Sequence, residues 1–170
     1  MLQLETPMET VVEAARLAAE AGVAVILDPA PAPDGPLPVE LLANVAYLTP
    51  NESEAQRLTG LPVGDEATAR AAAEKLLAAG PRCVIVTLGA RGALVATAGG
   101  AEMIPARPVE ARDSTAAGDA FNGGLAAALA EGCSLSDAVR QAALVGALSV
   151  TKLGAQPSLP TAAELEQFAG

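Results

Sequence analysis

Apolar positions along the chain follow two patterns, helical spacing and unbroken runs, and they take turns. "TPMETVVEAARLAAEAG" is apolar at helical spacing up to Gly22, with Thr6 as the expected cap, Pro7 at the first helical position and Glu9 completing a capping box. "VAVILD" follows as an unbroken apolar strand. Such strands are buried on both faces, which predicts a parallel sheet covered by helices. "PAPAPDGPLP" is a proline-stiffened loop, "VELLANV" a short helix and "AYLTP" another short strand. Asn51 is the expected cap of "NESEAQRLTG", with Glu54 three residues on, and "DEATARAAAEKLLAAG" is an amphipathic helix closed by Gly80. "RCVIVTLG" is the next buried strand, and the segments around Gly99 and Gly100 predict a hairpin at an antiparallel edge. The rest reads as helix, from Ala117 to about Glu131, from Leu135 to about Lys152, and once more after Pro160. This alternation predicts a three-layer α/β fold, a Rossmann-like, mostly parallel sheet, with residues 1–170 as one domain and no internal repeat.

Composition narrows the chemistry. With 51% apolar but only 2% aromatic residues, the core is aliphatic and stacking platforms for bases are nearly absent. A net charge of −10 argues against nucleic acid or an anionic membrane as partner. The absence of His excludes histidine triads and histidine metal sites, leaving oxygen ligands for any metal. Cys83 and Cys133 match no metal pair or disulfide framework, and the apolar runs are too short to cross a bilayer. A cytoplasmic protein with reduced thiols and no leader is the expectation.

Candidate chemistry concentrates in "ARDSTAAGDAFNGGLAAALAEG". A helix N-terminus presents unpaired N–H groups and a positive dipole end, so the small-residue turn Ala116, Ala117 and Gly118 suits an anion such as phosphate. Asp119 on the first turn is held as a carboxylate and is placed to accept a proton from a hydroxyl beside that phosphate. The same residues also fit a plain first-turn acid, a Thr115 or Ser114 cap, and Gly123 and Gly124 at a close helix contact. Further polar residues fall at strand ends, where open parallel sheets place ligands: Asp28, then Asn51 with Glu54, then Thr87 with Gly89 and Gly92. Singly, each reads as a cap or a tight turn.

Taken together, "LQLETP", "LDPAPA", "LTPNESEAQRLTG", "VTLGARGAL", "DSTAAGDAFNGGLAAALAEG" and "KLGAQPSLP" resemble, in order and separation, the ribokinase-type (PfkB) carbohydrate kinases. The resemblance covers essentially the whole chain. It implies ATP-dependent phosphorylation of a sugar hydroxyl, with ribose at its 5-hydroxyl the first candidate and another pentose, fructose or a nucleoside the alternatives. It implies Asp119 as catalytic base and the amides of Ala116, Ala117, Gly118 and Asp119 as an anion hole. Asn51 and Glu54 match an element near the nucleotide phosphates and magnesium, Thr87, Gly89 and Gly92 a turn lining the nucleotide site, and Glu5 an acid on the magnesium side. Asp113, Thr115, Ser149, Lys152, Gly154 and Ser158 match a monovalent-cation site that takes potassium. A homodimer is the assembly implied for the intact family member.

Two local departures carry expectations. Ala116 stands where the family pattern has Gly, so this position is expected to avoid positive φ. Ala143 replaces a larger residue against the adenine, thinning the base contacts. The larger departure is length: the N-terminal strands, the lid and the sugar-gripping residues of the family have no counterpart here. The chain is therefore expected to be a fragment, a truncated product or half of a split enzyme, or else a nucleotide-binding half with no turnover of its own, with an exposed sheet edge.

Overall fold

The computed structural model describes residues 1–169. Its contacts gather into two compact units, Met1–Leu88 with Leu94–Met103, and Gly89–Ala93 with the segment from Ile104 onward.

The first unit is built on a sheet. Its elements are α1 (Met8–Glu20), β1 (Ile26–Leu27), α2 (Val39–Leu42), β2 (Tyr47–Leu48), α3 (Glu52–Thr59), α4 (Glu66–Leu77) and β3 (Cys83–Thr87), followed by β4 (Ala93–Thr97) and β5 (Gly100–Ile104), whose end residues Ala93 and Ile104 fall in the second unit. Spatial order equals chain order, β1-β2-β3-β4-β5. β1, β2 and β3 run parallel, with Ile26 opposite Tyr47 and Leu48 opposite Val84. Leu2 adds a parallel bridge to Leu27 beyond β1. The links Leu88–Gly92 and Ala98–Gly99 are too short for crossovers, so β4 and β5 complete a mixed sheet as antiparallel strands.

Burial explains why the apolar runs are unbroken. Leu27, Leu48, Val84, Val86 and Leu94 share one core with Val11 of α1, Leu41 of α2, Leu58 of α3 and Leu76 of α4. Ile26, Ile85 and Val95, whose side chains alternate to the opposite face, are also buried, at 6%, 0% and 5% exposure. Each such side chain contributes about 1.5–3 kcal/mol relative to exposure. The ladders of β1 and β2 are shorter than the apolar runs around them. Pro29 and Pro50 follow closely, and a residue without an N–H cannot continue a ladder.

The start of α1 differs from the sequence expectation. Pro7 itself is the N-cap, at φ −52° and ψ 136°, and no side chain caps the helix. The Pro7 carbonyl receives the N–H groups of Thr10 and Val11, at 2.9 and 3.2 Å, which puts Thr6 one residue too early to cap and leaves Glu9 without a box to close. The α3 expectation is borne out: the Asn51 side chain accepts from Glu54 N, and Glu54 in turn accepts from Asn51 N.

The second unit is helical, with α5 (Ala117–Ala130), α6 (Leu135–Ser149) and α7 (Ala162–Ala169). At Gly124 a Cβ would stand 2.9 Å from Val145 Cγ2 and 3.2 Å from Ala142 Cα, so α5 and α6 approach too closely there for any side chain. α6 stops at Ser149, and Thr151 and Lys152 continue as a tighter turn whose N–H groups donate to Leu148 and Ser149. Among the described residues no helix is long and apolar enough to cross a membrane.

Candidate active site

The turn leading into α5 is stitched to the end of α6. Arg112 N and Asp113 N both donate to the Val150 carbonyl, at 2.7 and 3.2 Å. Asp113 Oδ1 accepts from Thr115 N at 2.9 Å and Thr115 Oγ1 at 2.6 Å, while Oδ2 accepts from Gly154 N at 2.8 Å. These bonds, the Thr115 hydroxyl first, hold the Asp113 carboxyl below its ordinary range.

Ala116 follows in the left-handed region, at φ 59° and ψ 17°. The expectation that an alanine here avoids positive φ is overturned. The conformation is fixed from both sides, by Asp113 through Thr115 and by the Ala116 carbonyl receiving Ala120 N at 2.9 Å. Left-handed backbone then aims the chain so that Ala117, Gly118 and Asp119 form the first turn of α5, where preceding helical acceptors are lacking. Neither Ser114 nor Thr115 caps the helix through its side chain. Ala117 N donates to Ser114 O at 3.2 Å, a long bond. Asp119 is exposed on this first turn. Such a turn is able to bind an anion, with a carboxylate beside it able to accept a proton.

In the first unit Asn51, Glu54 and Thr87 are brought together. Asn51 and Thr87 form an isolated parallel bridge, with Thr87 N donating to Pro50 O at 2.9 Å. Glu54 Oε2 accepts from Asn51 N at 2.8 Å, and Asn51 Oδ1 accepts from Glu54 N at 2.9 Å and from Ser53 Oγ at 2.8 Å. Burial pushes the Glu54 carboxyl above its ordinary range, against the pull of the Asn51 N–H. Glu5, exposed ahead of α1, lines a groove of about 280 Å³ with Gln3, Thr6 and Thr10.

In the second unit, Gly89 opens a short 3-10 turn, Gly89–Arg91, and Gly92 N closes it on Gly89 O at 3.0 Å. Gly92 has φ 104°, and a Cβ there would fall 2.0 Å from the Ile104 carbonyl oxygen. Of the residues matched to a cation site, Asp113, Thr115 and Gly154 are directly bonded. Ser149 is fully buried and Lys152 N donates to its carbonyl at 3.0 Å. Ser158, also fully buried, donates its hydroxyl proton to Ala155 O at 2.6 Å. Ala143 is half-buried on α6. Cys83 is buried, which pushes its thiol up to about 12, and Cys133 is half-exposed; both are free.

Residues 1–162 match the family model described as pfkB family carbohydrate kinase. The chain belongs to this family. It is 46% identical over 168 residues to the ribokinase of Haemophilus influenzae, covering 99% of this chain and 54% of that protein. It is 39% identical over 168 residues to a deoxyribokinase of Salmonella typhi, again 99% of this chain and 54% of the relative. The structure of Arabidopsis thaliana ribokinase complexed with ribose and ATP superposes with a TM-score of 0.92 at 35% identity, over 98% of this chain and 54% of that one. The ribokinase-like α/β fold is thereby shown, and the chain spans about half the length of the relatives it matches.

One residue of this region was missed by the sequence patterns. Glu164 accepts Lys152 Nζ at 2.6 Å, two residues from the Gly154 amide that binds Asp113. The sign of it in the sequence is Thr161 with Glu164 three residues on, a capping-box spacing after Pro160.

Proposed function

We propose that the chain is the nucleotide- and phosphoryl-handling portion of a sugar kinase that phosphorylates ribose at its 5-hydroxyl with ATP. The observation that carries the reading is the first turn of α5, with its Ala116–Asp119 turn and Asp119 exposed beside it. Support comes from the 46% identity to a ribokinase and from the likeness to a ribokinase complexed with ribose and ATP. Phosphoryl transfer needs mainly positioning and charge stabilisation, and little covalent chemistry from the protein. Asp119 takes the proton of the attacking hydroxyl as its oxygen bonds to the γ-phosphorus of ATP and the bond from that phosphorus to the bridging oxygen breaks, releasing ADP. The amides of Ala116, Ala117, Gly118 and Asp119 meet the charge on the transferred phosphoryl group. Asn51, Glu54, Thr87, Gly89 and Gly92 serve the nucleotide.

Two cations belong to the proposal. Among the described residues no three His, Cys, Asp or Glu side chains gather as a ready metal cage. The donors present nevertheless suit magnesium held mainly through water: Glu54 has an oxygen beyond the one engaged by Asn51, and Glu5 is an exposed carboxylate. Magnesium, when bound, neutralises phosphate charge. For potassium the donors are all oxygen. Asp113 Oδ2 accepts a single N–H, Ser158 Oγ keeps its lone pairs, and the carbonyls of Thr115, Ser149, Lys152 and Gly154 complete the set. A cation there would order the Asp113 to Asp119 segment.

The remaining half of a family member supplies the lid and the groups that orient the sugar, so the complete site needs more polypeptide than these residues. A cytoplasmic setting and a homodimer of the complete enzyme are parts of the same proposal. The 39% identity to a deoxyribokinase makes 2-deoxyribose the second acceptor to assay. Calorimetric titration of the 170-residue chain with ATP or ADP and magnesium tests the nucleotide assignment. Weak, magnesium-dependent binding is expected, and no binding at saturating nucleotide refutes it.

A further inference from the structure

α7 has no buried residue. Leu165 and Phe168 are half-buried, and polar contacts add to what that packing holds. Its first turn is a capping box in which Glu164 Oε2 accepts Thr161 N at 2.8 Å and Thr161 Oγ1 at 3.0 Å, while Thr161 Oγ1 accepts Glu164 N at 3.3 Å. The other Glu164 oxygen, Oε1, accepts Lys152 Nζ at 2.6 Å. At the far end of α7, Arg107 lies 4.5 Å over the Phe168 ring and donates to the Phe168 carbonyl.

The two anchors differ in what they reach. Arg107 ties α7 to the segment after β5. Lys152 belongs to the turn after α6, and Gly154 in that turn donates to Asp113, whose other oxygen holds Thr115 immediately before the left-handed Ala116. Every link from Glu164 to the first turn of α5 is therefore a hydrogen bond or a stretch of one or two residues. The Lys152 side chain is only 28% exposed, against 44% for Glu164, so the ammonium has little freedom to find another partner.

We propose that Glu164 is a positioning residue: acting through Lys152, it clamps the Lys152–Gly154 turn against Asp113 and so sets the geometry of the Ala116–Asp119 turn. α7 is thus the outer brace of the anion-binding turn. The consequence for nucleotide rests on the function proposed above; the clamp itself does not.

The test compares the parent chain with E164Q, K152M, the double variant and R107A. Glutamine keeps an acceptor for the capping box and removes the charge that Lys152 meets. R107A loosens the other end of α7 and serves as the structural control. Two readouts are taken, the backbone amide resonances of Thr115, Gly118 and Gly154, and the affinity for ADP with magnesium. E164Q and K152M are each expected to move all three resonances and to weaken ADP by about two- to fivefold, the range an ion pair of this exposure transmits. The double variant should be no worse than either single one, since both break one link. R107A should lower thermal stability while leaving resonances and affinity as in the parent. The proposal is overturned if E164Q shifts are confined to α7, or if R107A reproduces its effects. Should the parent itself bind no nucleotide, the proposed function falls and the resonances alone decide the clamp.

Discussion

Ala116→Gly is a substitution whose sign discriminates between two backbones. At φ 59° and ψ 17° the Ala116 Cβ crowds the following carbonyl, at a cost of about 1–2 kcal/mol for an L-residue. Glycine removes that cost but gives the unfolded chain more freedom, which returns about 0.4–1 kcal/mol. The net expectation is a gain of roughly 0.5–1 kcal/mol, which raises the melting temperature by about 1–4 °C for a chain of this size. Gly60 provides the reverse experiment. It caps α3 at φ 70° and ψ 6°, nearly the same backbone, and a Cβ there meets nothing within 4 Å. Gly60→Ala should therefore lose about what Ala116→Gly gains. The assay is urea unfolding of both variants with the slope checked for constancy. If Ala116 instead had negative φ, only the unfolded-chain term would remain and glycine would destabilise by about 0.4–1 kcal/mol. A less stable Ala116→Gly variant would refute the left-handed turn and the orientation of the α5 amides that depends on it.

Gly92→Ala should cost about 3 kcal/mol or more, because the new Cβ meets backbone on three sides, at 2.0 Å from Ile104 O, 2.6 Å from Ala106 N and 2.8 Å from Pro105 C. Gly89→Ala, with open space around its Cβ, should cost distinctly less in the same urea series, and equal losses would contradict the packing. Acid stability should depend on Glu164, whose carboxyl is lowered from 4.5 to about 2, first by Lys152 and then by Thr161. As pH falls the unfolded chain protonates this group before the folded one, so its contribution is complete above 4.5 and is lost on the way down to about 2. E164Q should flatten that part of the stability profile, and an unchanged profile would show that the Lys152 contact contributes nothing to folding.

Several local rules were readable in the sequence because the partners are near neighbours. Asn51 with Glu54 was recognisable as a capping box because both members lie within one turn, and the buried strands because β-sheet burial is written in consecutive residues. Thr6 failed as a cap for an equally local reason, since Pro7 took the N-cap position and shifted the helix start by one residue. Ala116 could not be read locally at all. Propensity disfavours alanine at positive φ, and what overrides it includes a bond from Asp113 to Gly154, 41 residues away. Separation along the chain also hid Glu164, whose lysine partner lies 12 residues earlier in another element. For the site, residue types and order were visible, together with the family they resemble, while the bonds that hold the α5 turn required the fold.

The proposed function makes these residues the phosphoryl-transfer half of a sugar kinase. Its most direct test is ribose-dependent ADP release by the 170-residue chain, alone and after joining it to the complementary half of a ribokinase relative, with Asp119→Asn run in parallel. Orientation and exclusion of water supply much of the barrier reduction, so the chain alone should show no detectable turnover. The joined protein should phosphorylate ribose, and Asp119→Asn should cut that rate by about 100-fold or more with nucleotide affinity retained. Robust turnover by the chain alone, or a joined Asp119→Asn enzyme as fast as its parent, would contradict that function.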